Sequence, residues 1–148
     1  AWLYAGHESE LPDVGDYRLI EFHAAQITGS LLAGRASNTS LVGLTGDGRT
    51  CSTATRLEGL IAILPVLSDP LLRAKARHGI DQGIEFLLAS QIREGKYHGA
   101  WPRAARPLPE THPGYRAGFN HRATEIRIDY VQHALSALLM YETILAVQ

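Results

Sequence analysis

Cysteine and methionine occur once each in these 148 residues, and aromatic side chains make up only 7%. A single thiol, Cys51, excludes an internal disulfide framework. No apolar run reaches the ~18 residues needed to span a bilayer, so membrane insertion is not expected. Charge of one sign is missing too: 14 Lys and Arg stand against 15 Asp and Glu, for a net charge of −1. Nucleic acid and anionic membranes attract a basic excess, so neither is expected as a partner. Seven His are present, three of them (His98, His112, His121) in one stretch, yet no His-Glu-x-x-His, Cys-x-x-Cys or paired His spacing occurs. No metal or other cofactor is therefore expected. Gly46-Asp47-Gly48-Arg49-Thr50 lies ahead of a helix start, where an anion can bind, but lacks the Lys-Ser/Thr ending of a P-loop and reads as an ordinary turn.

What is present is a soluble, globular composition, 45% apolar and 20% charged, long enough for one domain with a real core. Apolar spacing predicts four helices, at about 17–34, 53–67, 70–92 and 125–146. In the first, Leu19, Ile20, Ala24, Ile27 and Leu31 share a face with His23, which reads as a core histidine. Thr55-Arg56-Leu57-Glu58 has capping-box spacing near the start of the second, which is then apolar nearly all round up to Pro65. Asp69-Pro70 opens the third, whose Arg73, Arg77, Asp81 and Glu85 form a solvated stripe. Thr124 is a candidate N-cap for the fourth, with Ile128, Val131, Leu135, Leu138 and Leu139 as its apolar side. Residues 93–124, with four prolines, read as a long connection without periodicity.

The stretch from Gly83 to Trp101 ends a helix near Gln91 and continues to Gly99-Ala100-Trp101. In that order of parts it resembles the QW-type repeat of the α/α-toroid superfamily, of the terpenoid-cyclase and prenyltransferase kind or the glycan-active six-hairpin kind. The Gly-Ala-Trp-Pro turn at 99–102 is similar to a Gly-Gly-Trp-Pro turn of some toroidal pectate lyases. The resemblance implies an all-α fold of α/α hairpins, with 17–34 and 70–92 as outer helices and 53–67 and 125–146 as inner ones. A faint repeat agrees: Ile20-Glu21-Phe22 returns as Ile84-Glu85-Phe86, and Arg56-Leu57-Glu58 as Arg127-Ile128-Asp129. Four helices do not close such a ring, and the chain starts at Ala1-Trp2 without Met. Further helices, from a longer polypeptide or partner chains, are expected to complete the toroid.

In toroids of this class the active site lies where outer-to-inner loops meet inner-helix N-termini. That implies a mouth made by Arg56, Glu58, Arg127, Asp129, Tyr130 and His133, with Trp101, His98 and Arg103 from the loop. Such a set suits a glycan, including a uronate. Trp101 and Tyr130 can stack on a sugar face, and Arg56 and Arg127 can hold a carboxylate in bidentate fashion. Glu58 or Asp129 with His133 or Tyr130 can supply acid and base. Each residue also has a plainer role: Glu58 as a capping residue, Asp129 and His133 as a surface pair, the arginines as partners of the acids, Trp101 as a wedge between repeats.

The expected function is binding, with cleavage or epimerisation, of an oligosaccharide by acid/base chemistry at the inner-helix N-termini. The alternative is a non-catalytic structural or interaction subunit, in which Glu58 and Asp129 are buried against Arg with no open pocket. A third reading, a cyclase acting on an apolar substrate, requires an aromatic-lined cavity, and the aromatics are too few and too scattered to favour it.

Overall fold

A computed structural model of the chain describes residues 43–146; the helix expected over 17–34 and the Ile20-Glu21-Phe22 copy of the repeat lie outside them. The described residues are helical and contain no strand. A single 3-10 turn, Gly43–Thr45, precedes α1, Thr50–Ile63, which tightens into a second 3-10 turn, Leu64–Val66. Next come α2, Pro70–Ser90, a short α3, Ala117–His121, and α4, Ile128–Leu145.

Helix α1 starts three residues earlier than expected because its orphan N–H groups find backbone partners, not a side-chain cap. Thr50 N donates to the Arg103 carbonyl at 3.1 Å, and Thr50 Oγ1 donates to the Pro102 carbonyl at 2.5 Å. The capping box at Thr55 does not form. Thr55 lies inside the helix, with its hydroxyl on the Ser52 carbonyl, and Glu58 faces a different helix. At the other end Pro65 has no N–H to continue the α ladder, and the chain closes in the 3-10 turn.

Asp69 caps α2, accepting from Leu71 N and Leu72 N at 2.8 and 3.2 Å, with Pro70 at the first helical position. Helix α2 folds back against α1 by way of small residues. A Cβ at Gly83 would stand 2.6 Å from Leu57 Cδ2, so only glycine permits the observed approach. No glycine ends α2. Its last carbonyls are met by side chains: Ser90 Oγ on Phe86 O, Trp101 Nε1 on Leu87 O and Arg93 Nη2 on Leu88 O. Gln91 Nε2 donates to Gly99 O at 3.0 Å and closes the loop that carries Trp101 into the core, where it is 3% exposed.

After Trp101 the chain runs extended. Residues 102–105 hydrogen-bond to 48–50 on one side and to 123–125 on the other, which sets the N-termini of α1 and α4 side by side. Helices α1 and α4 therefore run parallel and pack along their length, with α2 antiparallel to α1. The core between them holds Leu57, Leu60, Ile61, Ile80, Ile84, Phe86, Leu87 and Trp101. The 93–124 stretch is not an unstructured connection. It carries α3 and a second small core of Ala104, Leu108, Phe119 and Ala123. Leu108 and Asn120 hydrogen-bond reciprocally, backbone to carboxamide, at 2.7 and 2.8 Å.

Helix α4 departs most from expectation. Arg127, not Thr124, occupies its N-cap. The face turned to α1 is built on Tyr130, Ala134 and Ala137, while Ile128, Leu135 and Leu139 are 82%, 50% and 54% exposed. Alanines let two parallel helices approach closely; Val131 and Leu138 of the expected apolar side also pack against the core, while Ile128, Leu135 and Leu139 stay outside. No described helix is long and apolar enough to cross a membrane.

Candidate functional site

The extended segment at 102–105 fixes the geometry of the common helix end. By holding both N-termini at once, it brings the two N-cap residues, Arg49 and Arg127, to the same rim. Arg103 rises from the segment itself, and Arg122 from the turn after α3. These four guanidiniums line an open cleft of about 230 Å³, completed by Cys51, Ser52 and Tyr130. That is the room of roughly eight water molecules, enough for one acidic group and its neighbours.

Three carboxylates hold the guanidiniums from outside the cleft. Asp47 takes Arg49 Nε at 2.7 Å and also accepts from Thr45 Oγ1, which locks the 45–49 turn. Asp129 takes Arg127 Nε at 2.9 Å, and the Arg127 guanidinium lies over the Tyr130 ring at 5.4 Å. Glu125 receives Arg122 in bidentate fashion at 3.1 and 3.0 Å. The Arg122 hydrogen bonds hold the Glu125 carboxyl below its ordinary range, and the Asp129 charge raises Arg127 further. Burial pushes up the Tyr130 hydroxyl, which donates to Glu125 at 3.4 Å and stays protonated at neutral pH.

Farther along the α1–α4 seam, Glu58 Oε2 and His133 Nδ1 meet at 2.9 Å, both part-buried. Cys51 and Glu58 are two turns apart on α1; Asp129 and His133 are one turn apart on α4. Burial raises the Cys51 thiol, and the nearby Asp129 and Glu58 charges raise it again, so it remains neutral and is no nucleophile at ordinary pH. The Glu58–His133 couple has the geometry of a proton-relay pair, although neither residue lines the cleft itself.

Of the expected site residues, Arg103, Arg127 and Tyr130 line the cleft, Asp129 orients Arg127, and Glu58 and His133 pair beside it. Three fall elsewhere. Arg56 lies two turns into α1 and donates to the Leu44 carbonyl at 2.6 Å, because its helix begins at Thr50 and not at Thr55. Trp101 is sealed in the core with its N–H on Leu87, so it offers no stacking face. His98 is exposed on the turn after α2. Tyr130 lines the rim with only 7% of its surface open, and its proton is committed to Glu125, which makes it a donor in place of a base.

The Arg56/Arg127 correspondence fails for the same reason as the capping box. Residue 127 is an N-cap, and its positional counterpart on α1 is Arg49. Arg49 was within view in the Gly46–Thr50 turn; Arg122, Ser52 and Glu125 carried no sequence signal, since only the chain's path brings them to the rim. Among the described residues, no three His, Cys, Asp or Glu side chains converge as a metal site. No protein-family model, curated protein or solved structure matches this chain.

Proposed function

We propose that this chain is an α/α-hairpin domain of the toroid type that binds the acidic group of an oligosaccharide at the shared N-terminal end of its two parallel helices. One observation carries the reading: four arginines converge on an open cleft at that end. Helix N-termini and guanidiniums both favour an anion, and together they define its place. The toroid part rests on the resemblance at Gly83–Trp101, and the Gln91–Gly99 and Trp101–Leu87 bonds fit it by tying the end of α2 to the loop that follows. Neither Trp101 nor Tyr130 offers an open ring, so charge and not stacking dominates recognition here. Lyase, hydrolase or epimerase turnover by the Glu58–His133 couple requires the ligand to extend from the cleft along the α1–α4 seam, because neither residue lines the cleft.

The purely structural alternative predicts Glu58 and Asp129 buried against arginine beneath a closed surface. Glu58 instead meets His133, and the Arg127–Asp129 pair is 51% and 37% exposed beside an open cleft. The exposed Ile128, Leu135 and Leu139 stripe does favour a role in a larger assembly, which is compatible with binding. Isothermal titration of an acidic oligosaccharide, oligogalacturonate, against its neutral methyl ester tests the proposal. Binding of the acid alone, weakened at least tenfold in Arg127→Gln, supports it. Equal binding of both, or of neither, overturns it.

A further inference from the structure

Of the three carboxylates behind the cleft, two serve a single lining residue each: Asp47 takes Arg49, and Asp129 takes Arg127. Glu125 meets three. Its carboxylate receives Nε and Nη2 of Arg122 at 3.1 and 3.0 Å. The same Oε2 atom accepts the Tyr130 hydroxyl at 3.4 Å and forms an ion pair with Arg103 Nη1 at 4.0 Å. Main-chain bonds join the same residues: Arg103 N donates to the Glu125 carbonyl at 2.7 Å, and Glu125 N to the Arg122 carbonyl at 3.0 Å. Arg122 comes from the turn after α3, Arg103 from the extended segment and Tyr130 from α4, so one side chain gathers three parts of the chain at one rim. Glu125 does not itself line the cleft.

This carboxylate acts on an acidic ligand in two opposing ways. Its charge repels the acid, while its oxygens aim the groups that bind it. At an open rim the repulsion between separated charges is screened by water and salt. Guanidinium recognition depends instead on the direction of the fork, which a long side chain loses when its support goes. We infer that Glu125 is the positioning residue of the cleft, and that its hold on Arg122, Arg103 and Tyr130 outweighs its repulsion of an acidic ligand. This rests on the cleft being the binding site proposed above.

Calorimetric titration of the full chain with oligogalacturonate, in the wild type and three amide variants at one ionic strength, tests it. Glu125→Gln, Asp47→Asn and Asp129→Asn each raise the local charge by one, so charge alone predicts tighter binding in all three. Positioning predicts about tenfold weaker binding in Glu125→Gln with the thermal midpoint unmoved, and changes within about threefold in the other two. Glu142→Gln, near the opposite end of α4, removes the same charge and is expected to leave the affinity unchanged. NMR adds a readout without ligand: Arg122 Nε–H should exchange with water more slowly than that of the exposed Arg106, and should lose this protection in Glu125→Gln. Unchanged or tighter binding in Glu125→Gln, or equal losses in all three amides, overturns the positioning role and leaves the cleft as the binding site. So does an Arg122 Nε–H as labile in the wild type as that of Arg106, a comparison that needs no variant to fold. If the wild type binds no acid, the cleft reading and this inference fall together.

Discussion

Trp101 and Arg103 sit two residues apart on one extended segment, and their donors meet opposite fates. The single indole N–H is buried and satisfied by Leu87 O at 2.7 Å. Arg103 only approaches Glu125, at 4.0 Å, and its side chain keeps 23% of its surface open at the cleft. A buried, satisfied donor serves the fold, whereas a partly open guanidinium at a cleft rim contributes little to it. Changes at 101 should therefore act on stability, and changes at the rim on binding.

The largest effect is expected from Trp101→Ala, which removes the wedge and leaves the Leu87 carbonyl unpaired. Urea unfolding should register a loss of about 3–5 kcal/mol. Trp101→Phe keeps much of the packing and should cost about 1–2 kcal/mol, chiefly the lost hydrogen bond. A fall as large as that of the alanine variant would mean that the N–H, and not the ring, holds the loop. Gly83→Val tests the other side of the same core. Its side chain runs into Leu57, and about 1–3 kcal/mol of destabilisation is expected in the same assay.

At the rim the contrast reverses. Arg127→Gln is expected to weaken acid binding at least tenfold while leaving the thermal midpoint unmoved, since its ion pair with Asp129 is solvent-screened. A large drop in the midpoint would move Arg127 to the structural side of the comparison. The smallest effect concerns Cys51. Its alkylation rate against pH should have a midpoint above the ordinary 9.0, because burial and then the charges of Asp129 and Glu58 disfavour the thiolate. Removing one negative charge in Asp129→Asn should bring the midpoint down. A midpoint at or below 9.0 in the wild type would contradict the seam geometry.

Much of the helical layout was legible because local chemistry set it. Asp69-Pro70 marks a helix start by capping and by proline's missing N–H, and α2 runs Pro70–Ser90 against an expected 70–92. The end of α2 near Gln91 and the loop leading to Trp101 were legible because their order along the chain is local. The errors arose where distant backbone decided the outcome. The α1 start was misplaced because its cap is the Pro102–Arg103 segment, some fifty residues away, and Arg56 was carried with it. The packed face of α4 was only partly legible, with Val131 and Leu138 packed as expected, because this helix is apolar on two sides. Periodicity finds a face but cannot choose between them, and Ala134 and Ala137 won by allowing closer approach. Arg103, Arg127 and Tyr130 could be anticipated from the resemblance, whereas Arg122 and Glu125 reach the rim only through the small core around Phe119.

The three carboxylates that stand behind the arginines set the local charge of the cleft. Asp47, Glu125 and Asp129 lie outside the lining, so replacing any one of them by its amide raises the local charge by one while also loosening the arginine it orients. Charge and arginine geometry at this helix end are thus set together, by residues that do not themselves face the cleft.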